Sequence, residues 1–157
     1  MRRQDREIVD HKTLWQILEA ADVCRVAFAG DDWPYIVPMS LGCCDGKLYF
    51  HCAPSGLKLD LLKANANVCF EVETGVKIMP GVDACNWTVS YQSVVGFGRM
   101  SVVEDSDERR RGLYALLMQQ KNAATSGPSD LTLPAALSPD TIVLRIDIVS
   151  MTGKGSA

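Results

Sequence analysis

The chain has 157 residues, of which 47% are hydrophobic and 22% are charged, proportions typical of one globular domain. Sixteen Lys and Arg against nineteen Asp and Glu leave a formal net charge of −3. Nucleic-acid-binding domains normally carry a basic surplus, so this balance argues against that class of partner. We expect a single domain over residues 1–157, large enough to fold without a stapling disulfide.

The first residues, MRRQD, contain no apolar run of the kind found in secretory signals, and no apolar stretch is long enough to cross a membrane. We therefore expect a cytoplasmic protein with no membrane partner, whose six cysteines are reduced. The cysteines form no C-x-x-C pair, and we expect no metal site. Cys24 and Cys69 lie in alternating apolar runs and are predicted to be small buried hydrophobes.

Three helices are predicted, at residues 13–21, at 55–65 and from 105 onward. Thr13 and Gln16 form a capping box at the start of the first helix. Ser55 is the predicted N-cap of the second helix. Asp105 is the predicted N-cap of the third helix, ahead of an acidic first turn.

Six strands are predicted, at residues 23–29, 33–41, 47–52, 68–73, 93–103 and 141–148, with irregular segments at 75–86 and 122–140. The dipeptide Asp45-Gly46 predicts a tight hairpin turn. Pro34 and Pro38 favour a sheet edge for their strand, and Gly96 indicates a bulge or a close backbone approach. Because hairpin connections dominate, we expect a mainly β fold, a small antiparallel barrel with peripheral helices.

The segment after the predicted strand at 47–52 carries the clearest chemical signal. A helix begins there, its first-turn N–H groups can bind an anion, and Gly56 allows close approach. Lys58 lies in that first turn, where the helix dipole disfavours a cation. A bound phosphate explains this lysine, and an ordinary surface lysine at a small energetic cost explains it equally well. The residues alone leave both interpretations open.

A histidine and a polar, aromatic group are the other candidates. His51 ends the strand before Lys58; a lone histidine is more often structural than catalytic, and no nucleophile elbow accompanies it. Trp87, Tyr91 and Ser93 are typical of either core packing or a pocket rim. No Walker loop or dinucleotide fingerprint is present, so the residues by themselves name no cofactor.

Four segments follow one another in an informative order: YIVPMS at 35–40, DGKLYFH at 45–51, GLKLD at 56–60 and YQSVVGFG at 91–98. The series resembles the flavin-binding split-barrel proteins related to pyridoxamine 5′-phosphate oxidase, and within them the 5-nitroimidazole-resistance branch. The opening MRRQDREI and the late VLRIDI and TGK segments also fit that branch. The resemblance covers nearly the whole chain.

This resemblance implies a six-stranded antiparallel split barrel that forms a homodimer, with FMN at the subunit interface. The implied cofactor contacts are Pro38, Met39, Ser40, His51, Cys52, Lys58, Trp87, Tyr91, Ser93 and Lys154. Lys58 would bind the FMN phosphate, with Lys154 as a second candidate for that end. Tyr91 and its neighbours would reach the flavin from the partner subunit. Cys52 replaces a common serine, and the pair Cys43-Cys44 is unusual in its hairpin.

The resemblance further implies an FMN-dependent oxidoreductase acting on a small-molecule substrate, with nitroaromatic reduction as one candidate reaction. The flavin would carry the redox chemistry, and His51 would donate a proton or orient the substrate. Two alternatives are a non-catalytic module that stores or senses flavin or haem, and a deazaflavin-dependent reductase. A shared fold does not choose among these activities.

Overall fold

The computed structural model describes residues 4–123 and 132–156. Its helices and strands, in chain order, are β1 (Glu7–Ile8), α1 (His11–Ala20), β2 (Cys24–Phe28), β3 (Tyr35–Met39), β4 (Gly42–Cys44), β5 (Lys47–Cys52), α2 (Leu57–Ala64), β6 (Asn67–Met79), β7 (Thr88–Val102), α3 (Ser106–Ala123) and β8 (Ile142–Ser156). Short 3₁₀ turns lie at Gln4–Arg6 and Ala84–Asn86.

The strands form one antiparallel sheet in the order β3-β2-β6-β7-β8-β5-β4, and β1 pairs with the end of β8. The outermost strands of this path are β3 and β4, yet only Ser40 and Leu41 separate them in the chain. Because so short a link spans at most about 10 Å, the two edges of the sheet must come close together. The sheet therefore curls into a split barrel, and the fold is mainly β with peripheral helices.

The core fills the interior of this barrel. Inward side chains alternate with outward ones, as in β2, where Cys24, Val26 and Phe28 are buried and Arg25 is exposed. Helix α1 adds Leu14, Ile17 and Leu18, and helix α2 adds Leu59 and Leu62. Each fully buried side chain of this size stabilises the fold by about 1.5–3 kcal/mol. The apolar stripes of both helices thus cover the barrel and fix their orientation.

The prediction of six strands is wrong in number, because the sheet contains eight. The two extra strands, β1 and β4, are two and three residues long, too short to show an alternating pattern. The predicted strand at 33–41 is only β3, whose position at the sheet edge confirms the interpretation of Pro38. The hairpin at Asp45 joins β5 to β4 rather than to β3.

Two of the three predicted helix starts are wrong by two residues. The N-cap of α1 is Asp10, whose carboxylate accepts hydrogen bonds from the Thr13 backbone N–H at 2.8 Å and from its hydroxyl at 2.6 Å. Helix α2 begins at Leu57, after Gly56, rather than at Ser55. The third prediction is confirmed, since Asp105 accepts from the Glu108 N–H at 2.7 Å.

Both predictions that rest on glycine are confirmed. Asp45 and Gly46 have φ values of 51° and 72°, the left-handed pair that a type I′ hairpin turn requires. A Cβ at Gly96 would overlap the ring of Phe70, so glycine is needed for close packing there. The β7–β8 register also shifts next to Phe97, which is the expected bulge.

Strands β6 and β8 continue well past their predicted ends, and β7 begins five residues before its predicted start. The predicted loop at 75–86 contains the last third of β6, and the predicted C-terminal tail continues β8 to Ser156. Part of the predicted irregular segment at 122–140, residues 124–131, lies outside the described residues. Cys24 is fully buried as expected, whereas Cys69 is only half-buried. Across the parts of the chain that the structure describes, no helix is long and apolar enough to span a bilayer.

Candidate functional site

The first group of predicted site residues surrounds the start of α2. Gly56 has a φ of 134° and precedes the helix, and no side chain from the described residues caps the first turn. The N–H groups at the start of a helix lack intrahelical partners, and their dipole attracts an anion. No atom lies within 4 Å of a Cβ placed on Gly56, so a ligand can approach the backbone closely. Lys58 is half-buried at the second position of this helix.

His51 and Cys52 are the last two residues of strand β5, shortly before this helix start. Burial raises the pKa of the Cys52 thiol, and the positive charge of Lys58 opposes that rise, so the ammonium group lies near the sulfur. His51 is exposed and paired with Val143 of β8. The segment therefore carries a thiol near the Lys58 ammonium group, while the His51 imidazole lies on the opposite, exposed face of β5.

The chain leaves β3 at Met39 and enters β4 at Gly42, which pairs with Tyr49 of β5 two residues before His51. Pro38 is exposed and Ser40 half-buried, so both can contact a ligand. The side chain of Met39, in contrast, is 7% exposed and packs in the core. Met39 can therefore offer a ligand its backbone rather than its side chain.

The second group lies on β7 and the end of β8. Ser93 pairs with Lys154, and Tyr91 pairs with Ser156. The Lys154 ammonium lies 5.7 Å from the centre of the Tyr91 ring, and its hydrogen bond to the phenol lowers the pKa of Tyr91. Trp87 is 57% exposed just before β7 begins. A cationic, aromatic surface at the far end of the barrel is formed by four of these residues, Trp87, Tyr91, Ser93 and Lys154.

One chain does not bring the two groups together. His51 pairs with Val143 at one end of β8, and Ser93 pairs with Lys154 eleven residues further along it. At about 3.3 Å per residue, roughly 35 Å of strand separates them. The predicted residues thus fall into two separate groups, one around Lys58 and one around Lys154.

The sequence interpretation missed one residue beside the second group. Arg6, in the 3₁₀ turn before β1, hydrogen-bonds to the Tyr91 hydroxyl and contributes to lowering its pKa. It reaches this position because β1 pairs with β8, Glu7 lying opposite Lys154. A two-residue strand gives no periodic signal, so the sequence contained no pattern that could have placed Arg6 there.

The barrel agrees with the comparison to known proteins. The profile of the pyridoxamine 5′-phosphate oxidase family matches residues 10–155. The chain belongs to this family. The matched segment contains all ten predicted site residues, with Lys154 one residue before its end. No functionally curated protein matches the sequence.

Several solved structures share the fold. A proposed 5-nitroimidazole antibiotic resistance protein from Bacteroides thetaiotaomicron has a TM-score of 0.77 at 27% identity, over 94% of this chain and 85% of that one. An FAD-binding protein from Mesorhizobium loti has a TM-score of 0.66 at 25% identity, over 95% and 96% of the chains. The flavocytochrome Anf3 from Azotobacter vinelandii has a TM-score of 0.80 over 100% and 72%, and at 17% identity that likeness concerns the fold alone.

Proposed function

We propose that this protein is a homodimeric flavoprotein that binds FMN between its two chains and uses it in a redox reaction on a small molecule. The start of α2 carries this proposal. Lys58 and the uncapped N–H groups there offer donors of the kind that bind a phosphate, and the first-turn carboxylate of Asp60 is paired with Lys63 at 3.3 Å. The relatives named as flavin-binding support the choice of a flavin as the owner of that phosphate.

The dimer is proposed because one chain holds only half of each site. The hairpin arm, defined as residues 74–92, exposes apolar side chains that the barrel does not cover: Val76, Ile78, Met79, Val82, Trp87 and Val89. Exposed apolar clusters of this size usually mark a protein interface. In a two-fold dimer, each arm packs on the other chain and brings Tyr91 and Lys154 toward that chain's Lys58.

The residues around α2 suit a redox role for the bound flavin. FMN supplies the electron and hydride chemistry, while the protein binds and orients it. His51 is exposed next to the phosphate-binding segment, and imidazole exchanges protons near neutral pH. We propose that His51 donates a proton to the reduced substrate or orients it. Reduction of a nitroaromatic compound is the proposed reaction, by analogy with the Bacteroides protein.

Two other functions compete with this one. A relative from Mycobacterium smegmatis is named as binding FAD and haem, which corresponds to a non-catalytic binding module here. A deazaflavin-dependent reductase is the other alternative. The absorption spectrum of the purified protein distinguishes flavin from haem, and adding each cofactor in turn distinguishes flavin from deazaflavin. We expect a yellow protein that dithionite bleaches; a colourless protein that takes up no added FMN contradicts the proposal.

The role of Lys58 is tested by the change Lys58→Ala. We expect FMN affinity to fall by about 10- to 100-fold, because a charge-assisted hydrogen bond to the phosphate is lost. Lys12→Ala is the control, since Lys12 is an exposed cation on α1, away from the start of α2. Isothermal calorimetry with FMN measures both variants. Unchanged affinity in Lys58→Ala, or an equal loss in both variants, contradicts the assignment.

A further inference from the structure

A groove away from the predicted site residues runs between α3, the edge strand β4 and the end of α1. Its volume is about 500 Å³, within the range that holds a small ligand. The last two residues of β4 line one wall, and one face of α3, from Arg111 to Asn122, forms the other. Cys44 pairs with Lys47, the first residue of β5, so the groove lies at the opposite end of β5 from His51.

Two opposite charges line this groove without pairing. Glu19 is in the last turn of α1, where the negative end of the helix dipole adds to the pull of its carboxylate on a cation. Neither Glu19 nor Arg111 forms an ion pair or a hydrogen bond with any other residue that the structure describes. Arg109 and Arg110, in contrast, donate to backbone carbonyls of the segment before β8. Arg111 is therefore the arginine of this run that is available to a ligand.

The hydrogen bonds of Gln119 indicate how far apart the two charges lie. Gln119 donates to the Leu18 carbonyl at 2.9 Å, so the end of α1, with Glu19, adjoins the C-terminal half of α3. Arg111 precedes Gln119 by eight residues, which is about 12 Å along the helix axis. A ligand that meets both charges carries its own two charges at opposite ends, about three or four extended residues apart.

The middle of the groove combines apolar surface with uncharged polar groups. Ala115 and Met118 are half-buried there, and Tyr114 is 50% exposed beside them. The Tyr114 hydroxyl and the Asn122 amide have no hydrogen-bond partner among the described residues. Together they offer donors and acceptors, which the amide groups of a peptide require.

We propose that this groove binds a short peptide of three or four residues, with its free amino terminus at Glu19 and its free carboxylate at Arg111. The ammonium group donates to the Glu19 carboxylate, and the guanidinium group matches the two oxygens of the peptide's carboxylate. An apolar side chain in the middle of the peptide packs on Tyr114 and Met118. The site is separate from the proposed flavin chemistry, so its test does not depend on that proposal.

The probe is the tripeptide Ala-Leu-Ala, titrated by calorimetry into the protein as purified, together with its N-acetylated and C-amidated forms. Each modification removes one end charge and should weaken binding to the wild type by about 3- to 10-fold. In Glu19→Gln, the free and acetylated peptides should bind equally, and amidation should still weaken binding. In Arg111→Gln, the free and amidated peptides should bind equally, and acetylation should still weaken binding.

The controls are Asp31→Asn and Lys12→Gln, which remove exposed charges on the β2–β3 turn and near the start of α1. Both should bind the three peptides as the wild type does. The Glu19 and Arg111 variants should keep the wild-type Tm, because neither side chain bonds to another described residue. A change in peptide affinity is then a property of the groove rather than of the fold.

Backbone amide NMR shifts locate the bound peptide. On addition of Ala-Leu-Ala, we expect shifts at Cys43 and Cys44 and along α3 from Arg111 to Asn122, with none at the start of α2. The proposal is overturned if the peptide does not bind the wild type at millimolar concentration, or if the shifts lie elsewhere. It is also overturned if acetylation weakens binding to Glu19→Gln as much as it weakens binding to the wild type.

Discussion

At the scale of single residues, the Glu108 carboxylate on α3 accepts hydrogen bonds from side chains of two strands, β5 and β8. The Arg145 guanidinium donates to its two oxygens at 2.9 and 3.1 Å, and the Tyr49 hydroxyl donates to Oε1 at 3.0 Å. The hydrogen bond from Arg145 is the main reason that the pKa of Glu108 lies below its ordinary value. Burial, followed by the Glu108 carboxylate, raises the pKa of Tyr49 to about 12.

The lowered pKa predicts a pH-dependent contribution to stability. A depressed carboxyl pKa stabilises the fold above the unfolded-state pKa, and this contribution is lost as pH falls through the folded-state pKa. We expect Glu108→Gln to lower the free energy of unfolding by about 1–2 kcal/mol at neutral pH, and by progressively less as the pH falls below the ordinary carboxyl pKa of 4.5. Urea unfolding across this range measures it. The exposed Glu104→Gln is the control, and a pH-independent difference for Glu108→Gln would refute the argument.

At the scale of elements, one glutamine side chain connects α3 to α1 and β4 by hydrogen bonds. The amide of Gln119 on α3 donates to the carbonyls of Leu18 and Ala21, both at 2.9 Å, and accepts from the Cys43 N–H at 3.1 Å. These bonds join α3 to the end of α1 and to the sheet edge at β4. They satisfy backbone groups that a helix end and an edge strand leave without partners.

Removing this amide should therefore destabilise the fold. We expect Gln119→Ala to lower the free energy of unfolding by about 2–4 kcal/mol, because partly buried backbone groups lose their partners. Gln120→Ala is the matched control, since Gln120 is exposed one position further along the same helix. Thermal and urea unfolding measure both. Similar small losses in the two variants would show that the Gln119 bonds contribute little.

The elements also show which features a sequence can predict. The Asp45 turn and the Asp105 cap were predicted correctly because their signals are local in the chain. The wrong N-cap at Thr13 arose because two capping residues, three positions apart, both suit a helix start. The arm strands past Thr74 were missed since their exposed residues do not alternate between core and solvent.

The residues of the candidate site also differ in whether a local sequence pattern reveals them. His51, Cys52 and Lys58 are close in sequence, so one local segment revealed them. Their counterpart around Lys154 depends on strand register, and the position of Arg6 depends on the pairing of β1 with β8. Register and pairing are set by the whole sheet, which no local pattern encodes.

At the scale of the whole molecule, we propose that each flavin site is built from the Lys58 group of one chain and the Lys154 group of another. Two defective chains should then complement each other. The first carries Lys58→Ala, and the second carries Lys154→Gln. In a mixed dimer one site loses both halves, while the other keeps both intact.

The deciding measurement is the amount of FMN retained by the two variants after they are unfolded and refolded together, against each variant refolded alone. The account predicts that each variant alone retains little FMN and that the mixture regains tight binding at one site of every mixed dimer. If the mixture retains no more FMN than the separate variants, while wild-type protein treated in the same way binds it, the site lies within one chain and the account is contradicted.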